Sequence, residues 1–222
     1  MSPEDPASDS QIPRQSAVSI DVLVLRFWPD DETVRLGIAR RENMPFRGRL
    51  ALPGVLLARG ARLADDARRA ATTKLDVPPS AIRAVGQLVT FDEPNRDPRG
   101  PTLSIAMWAA SAPTESPVQW APLDAVPPLA FDHDGIVTRC RPLLAAKLWN
   151  DLVFTRALLG DQFSATRAVT ATTALRGERP DPGNLNRTLG SLPGLRRTEQ
   201  RVRERSTGRP AVVWAFDAAP SN

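Results

Sequence analysis

Cysteine and histidine are nearly missing from this 222-residue chain, where each occurs once, as Cys140 and His133. A lone thiol has no internal disulfide partner, which fits a reducing compartment. A single imidazole nearly excludes a structural zinc centre and a histidine-based catalytic triad. Long apolar runs are missing too: no stretch approaches the roughly 18 consecutive apolar residues that would span a bilayer. The opening residues, MSPEDPASDSQIPRQS, are polar, acidic and proline-rich with no apolar core of their own, so neither a secretory signal nor a folded element is expected there. The expectation is a cytoplasmic protein with no membrane segment and a disordered leader over residues 1–17. No internal repeat is visible.

What is present belongs to a globular protein. Hydrophobic residues make up 41% and charged residues 24% of the chain, enough for one large or two small domains, each with its own core. The net charge of +4 is unevenly spread. Residues 1–150 carry 18 basic and 18 acidic side chains, whereas residues 151–222 carry 11 arginines against 7 acids. A basic module joined to a neutral one points to a partner for the basic part, nucleic acid being the commonest; a solvated charged face is the alternative.

Ile20 to Trp28 is an apolar, β-branched run, and Thr33 to Ala39 alternates well enough to pair with it across a turn at Pro29 to Glu32. Leu63, Ala67, Ala70, Ala71 and Leu75 recur at helical spacing. Two further strands, Ile82 to Phe91 and Thr102 to Ala110, flank the turn-rich segment DEPNRDPRGP. Strands around a helix predict mixed α/β layers. Asp132 to Trp149 reads as a helix with Ile136, Cys140, Leu143, Leu144 and Leu148 on one side, capped by Asp132 or Asp134. Pro142 inside it predicts a kink or break, since an interior proline costs about 3 kcal/mol. His133 is expected to be a packing residue.

In the basic third, Ser164 to Leu175 predicts a helix, Gly177 to Pro180 a turn, and Asp181-Pro182 the start of a second helix to Leu192. Leu185, Leu189 and Leu192 form one buried stripe; Asn184, Arg187, Thr188 and Ser191 face the other way, with Asn186 at the edge. Leu195 to Arg203 and Ala211 to Phe216 then predict a hairpin, the wing of a winged helix-turn-helix. Arg196, Arg197, Arg201, Arg203, Arg205 and Arg209 lie on or beside it. Such a module binds duplex DNA, RNA or protein. Wing arginines suit phosphates, and the second helix would carry any base preference.

Leu52 to Val77, LPGVLLARGARLADDARRAATTKLDV, resembles the Nudix box in frame but not in chemistry. On its pattern Val55 takes the first Gly position, Ala61 the first Glu, Arg69 the Arg, Ala70, Thr73 and Lys74 the three metal-binding Glu positions, Asp76 the second Gly and Val77 the closing apolar residue. The family's diphosphate hydrolysis uses Mg²⁺ or Mn²⁺, which need oxygen ligands. Methyl groups and an ammonium supply none, so the resemblance implies a Nudix fold without hydrolysis, metal or cofactor.

The segments LVTFDEPNRDPRGPTLSIAMWAA, VQWAPLDAVPPLAFDHDGIV and the Gly-Arg-Pro before the last strand are similar to those of Nudix-related transcriptional regulators of NAD metabolism. That resemblance, from about Val18 to Phe216, implies an α/β Nudix-like sandwich followed by a winged helix-turn-helix domain. Its divisions would be 18–131 for the ligand-sensing domain, 132–150 for a linking helix, 151–217 for the DNA-binding domain and 218–222 for a tail. It implies a homodimeric repressor on a double-stranded DNA operator, released by ADP-ribose or a related nucleotide. Arg49, Arg69, Arg96 and Arg99 are the candidates for diphosphate contacts, with surface salt bridging as the competing account of each. Two rivals remain: an active ADP-ribose hydrolase with an atypical metal site, and a Nudix-fold protein-interaction scaffold.

Overall fold

Strand β1 (Ala17–Trp28) is buried on both faces, which is why it reads as a continuous apolar run. In the computed structural model, which describes residues 16–28, 33–114, 119–203 and 210–217, it is the centre of a mixed seven-stranded sheet. The bulk of the leader, the turn at Pro29 to Glu32, Arg205, Arg209 and the tail lie outside the described residues. β2 (Thr33–Arg40) pairs antiparallel with β1, setting Trp28 against Thr33. β3 (Leu50–Ala51) extends the β2 edge, and β4 (Gly54–Leu56) pairs with the start of β1. β5 (Ile82–Phe91) and β6 (Thr102–Ser111) form the expected antiparallel pair, with β6 parallel to β1. β7 (Gln119–Pro122) adds to β2.

The period of two along β1 sorts its side chains between layers. Ile20, Val22 and Val24 face helix α1 (Leu63–Leu75), where they join Ala67, Ala70, Ala71 and Leu75. Leu23, Leu25 and Phe27 face a second cluster that takes in α2 (His133–Lys147) and α3 (Leu152–Leu159). The same cluster runs on through α4 (Ala165–Arg176), α5 (Pro182–Ser191) and Trp214, across the expected divisions at 131 and 151.

Expectation and structure differ along α2. The helix runs unbroken through Pro142 because Ile136, Cys140 and Leu144 on both sides of it sit in the same core. Pro142 and Thr138 are exposed, so the carbonyl that loses its helical partner is open to water. Neither expected cap acts as one. Asp132 is taken by Arg96, and Asp134 accepts the Leu129 N–H at 3.1 Å.

Beyond α2 the order is α3, β8 (Gln162–Ser164), α4, α5, β9 (Leu195–Val202) and β10 (Ala211–Phe216), with the strands ordered β8-β10-β9. Helix starts follow capping chemistry: Asp151 accepts from Phe154 N, Ser164 from Arg167 N and Asp181 from Asn184 N at 2.7 Å. The module is tied down by Arg141 of α2, which donates to the Ala174 carbonyl at 2.7 Å, and by Trp149 Nε1, which donates to Thr172 at 3.1 Å.

Two glycines permit close layer contact. A Cβ on Gly37 would stand 2.5 Å from Leu75 Cδ1, and one on Gly86 would stand 2.6 Å from the indole nitrogen of buried Trp108. Trp108 itself packs edge-on to Phe154 at 4.9 Å, joining the sheet to α3. Gly86→Ala is therefore expected to cost about 1–3 kcal/mol through overpacking. Chemical denaturation measures it, and an unchanged midpoint would contradict this account of the joint.

Candidate functional site

Two polar regions stand out, a cleft at one end of the sheet and an exposed face on the C-terminal module. The cleft, of about 280 Å³, lies between the start of β1, the end of β2, β4, the last turn of α1, the β5–β6 connection and the start of α2. Arg40, Arg41, Lys74, Arg96 and Arg99 line it, against Asp21, Glu42 and Asp97, so its surplus charge is positive and suits an anion.

Its floor is a buried network. Arg96, whose side chain is 4% exposed, grips both oxygens of Asp132 at 2.8 and 3.0 Å, donates to Ser19 Oγ at 3.2 Å and reaches Asp21 at 3.5 Å. Asp21 also accepts from Ser104 at 2.6 Å. Gly54 is required beside it, because a Cβ there would lie 2.5 Å from an Asp21 oxygen. Arg99 closes on Asp97, whose hydrogen bonds to Arg99 hold its carboxyl below the ordinary range despite burial. Arg41 lies over the Phe131 ring at 4.5 Å, and burial followed by the nearby Arg99 charge lowers its pKa. Phe131 and Phe46, at φ of 57° and 61°, meet edge-to-face at 4.8 Å; side chains other than glycine rarely take such angles, and they concentrate at working sites.

His133 is a packing residue and more. Its Nδ1 accepts the Leu52 N–H at 3.0 Å, while Nε2 stands 3.6 Å from Asp21. Burial pushes its pKa down, outweighing the upward pull of Asp21 and Asp132.

Of the four arginines expected to meet a diphosphate, the structure brings Arg96 and Arg99 to the cleft and leaves two outside its lining. Arg49 donates to the Leu129 carbonyl at 3.2 Å. Arg69 is held by Asp66 at 2.7 Å and by the Leu56 carbonyl, and Asp66 also accepts the Ala58 N–H; the pair pins the loop before α1. Asp76, at the second Gly position, caps α1 in the left-handed conformation at φ 46°. Arg40, Arg41, Asp21 and His133 were missed as cleft residues; the Arg40-Arg41 doublet at a strand end was the available signal.

On the C-terminal module, Asn184, Arg187, Thr188 and Ser191 lie together on the exposed face of α5. Arg187 donates to Asn184, while Asn186 is half-buried, tied to the Pro182 carbonyl and to Trp214 Nε1 at 3.3 Å. Arg196, Arg197, Arg201 and Arg203 are exposed along and just after β9. Arg196 reaches Asp217 at 3.6 Å; the other three make no ion pair among the described residues.

The fold is that of a Nudix-like sandwich followed by a winged helix-turn-helix. NrtR of Shewanella oneidensis, solved with a 27mer DNA, has the same arrangement: TM-score 0.72, 24% identity, covering 90% of this chain and 93% of that one. The separate NUDIX domain of that protein, solved with ADP ribose, matches at TM-score 0.52 and 23% identity over 62% of this chain and 94% of its own. In sequence, an ADP-ribose pyrophosphatase of Methanocaldococcus jannaschii is 25% identical over 128 residues, 54% of this chain and 70% of that protein. No family profile matches the chain.

The lowered pKa of His133 sets a pH dependence. The folded state favours neutral imidazole, so its contribution to stability is complete above the ordinary value of 6.5 and is lost as pH falls below that toward the lowered value. Thermal melts from about pH 8 to about pH 5.5 should show a larger fall in Tm for the wild type than for His133→Asn, whose amide oxygen can still accept from Leu52. Equal falls would contradict the assignment.

Proposed function

We propose that this protein is a DNA-binding transcriptional regulator, a cytoplasmic homodimeric repressor of NAD synthesis or salvage genes. Its Nudix-like domain binds a nucleotide of the ADP-ribose class and hydrolyses nothing. The observation that carries the reading is the pairing of a cationic cleft with an exposed polar helix and an arginine-lined wing on one continuous core. The likeness in fold to a protein solved with DNA, and to its domain solved with ADP ribose, supports it.

On DNA, α5 would enter the major groove, with Asn184, Arg187, Thr188 and Ser191 toward base edges and phosphates. Asn186, engaged by Trp214, positions α5 against the wing. Arg196, Arg197, Arg201 and Arg203 would neutralise phosphates, giving affinity that falls steeply with salt. Two-fold symmetry would match paired half-sites.

Release by ligand requires tighter binding to an arrangement that no longer fits DNA. Helix α2 offers the route. Its first residues belong to the cleft, through the Arg96–Asp132 pair and His133, and its middle holds the end of α4 through Arg141. A diphosphate held in the cleft beside this pair would shift the start of α2, and through it α4 and α5.

Hydrolysis is not part of this reading, because three of the four Glu positions of the box hold Ala61, Ala70 and Lys74, and the Thr73 hydroxyl already donates to the Arg69 carbonyl at 2.7 Å. The likeness to a pyrophosphatase is the one observation favouring an active enzyme. Metal-dependent release of AMP from ADP-ribose would establish that rival.

Gel-shift on DNA from the gene's own neighbourhood, with and without ADP-ribose and NAD, should show a salt-sensitive complex released by one nucleotide; the absence of any salt-sensitive complex would sink the regulator reading. Arg187→Ala should abolish preference for the operator over random DNA, whereas Arg203→Ala should weaken both alike. Equal losses on both DNAs for Arg187→Ala would refute that division of labour.

A further inference from the structure

The hydrolytic Nudix fold brings a divalent metal with it, and the residues here do not fit one. Ala70 is fully buried in the α1 core and Ala61 has no donor side chain. Thr73 is committed to its own helix, and among the described residues no group of three His, Cys, Asp or Glu is placed to hold a metal ion. Lys74 stands where the last acid would be and lines the cleft, exposed and without an ion-pair partner among the described residues. It sits in the last turn of α1, where the free carbonyl ends of the helix favour a cation. Its ammonium would repel a divalent ion from that place.

Two more cations face the same space with no carboxylate in ion-pair reach among the described residues. Arg40 and Arg41 donate to backbone carbonyls, of Gly48 and of Pro45, in contrast to Arg96 and Arg99, which are ion-paired with Asp132 and Asp97. The guanidinium expected to do most for an anion is therefore partly spent, and the uncommitted charge lies on the β2 end and on α1.

We propose that Lys74 takes over the charge role of the divalent metal, and that with Arg40 and Arg41 it binds the phosphate groups of an anionic ligand without any metal ion. The inference rests on the nucleotide-binding reading above, and goes beyond it by assigning the contact and the metal independence. A fixed ammonium neutralises phosphate oxygens and donates to them, but it neither polarises a bound water nor leaves the protein with a chelator.

The test is calorimetric titration of the full chain with ADP-ribose and, separately, with inorganic pyrophosphate, in EDTA and in excess Mg²⁺. Both probes should bind in EDTA, more weakly at high salt, and excess Mg²⁺, which itself complexes pyrophosphate, should strengthen neither. Lys74→Ala should weaken binding about tenfold, Lys74→Glu further, and Lys74→Arg least, while Arg62→Ala at the opposite end of α1 should leave it unchanged. Circular dichroism spectra of all variants should overlay that of the wild type. ADP-ribose binding that needs Mg²⁺, or that ignores Lys74, overturns this inference and leaves the effector reading standing. Metal-free, Lys74-dependent binding of pyrophosphate alone supports it and removes ADP-ribose as effector. Binding of neither probe overturns both.

Discussion

The buried guanidinium of Arg96 is the constraint on which the arrangement of this molecule depends. It lies on the connection between β5 and β6, yet its partners are Ser19 and Asp21 of β1 and Asp132 at the threshold of α2. Three segments far apart in the chain meet on one charge. Removing one partner of such a buried pair typically costs about 3–5 kcal/mol, because the other is left charged in a poor solvent. The same group shapes the cleft floor and sets where α2 begins. Helix α2 shares its core with α4, so the element that begins at this pair also packs against the C-terminal helices.

The segment from Leu52 to Val77 places its charged groups where they serve the fold. Arg69 still locks a loop through Asp66, and Asp76 still turns the chain out of α1 in a conformation that glycine takes more readily. Both serve the fold, since they place α1 over Ile20, Val22 and Val24. Of the four expected acid positions, Ala70 packs in the core and Lys74 adds positive charge to the cleft wall.

Much of the fold was legible because local and global signals agreed. The strand runs of β1, β2, β5 and β6 alternate or are wholly apolar in agreement with their layers, and Ser164 and Asp181 announced α4 and α5 by capping. Helix α3 escaped because LVFTRALL is too short and too uniformly apolar for its period to separate helix from strand. The three-residue strands β4 and β8 carry no pattern of their own; β4 exists because the edge of β1 is there to pair with. Pro142 misled for a related reason, since an exposed proline in a helix anchored on both sides breaks nothing. Arg49 and Arg69 were drawn by position in a motif; the Leu129 carbonyl that takes Arg49 is near only in the fold, whereas the Asp66 partner of Arg69 lies one helical turn away.

By itself the sequence determined the layered α/β class, the helix-turn-helix with its arginine-rich hairpin, and the absence of carboxylates at Ala61, Ala70, Thr73 and Lys74, because each is a matter of residue type at local spacing. Tertiary structure alone decided which cations are ion-paired, that His133 accepts from Leu52 beside Asp21, and that the sheet and the C-terminal module share one core. The reason is physical. A charge or an imidazole takes its state from neighbours many residues away, such as Asp132 for Arg96 and Leu52 for His133, and a one-dimensional pattern records the residue but not the company it will keep.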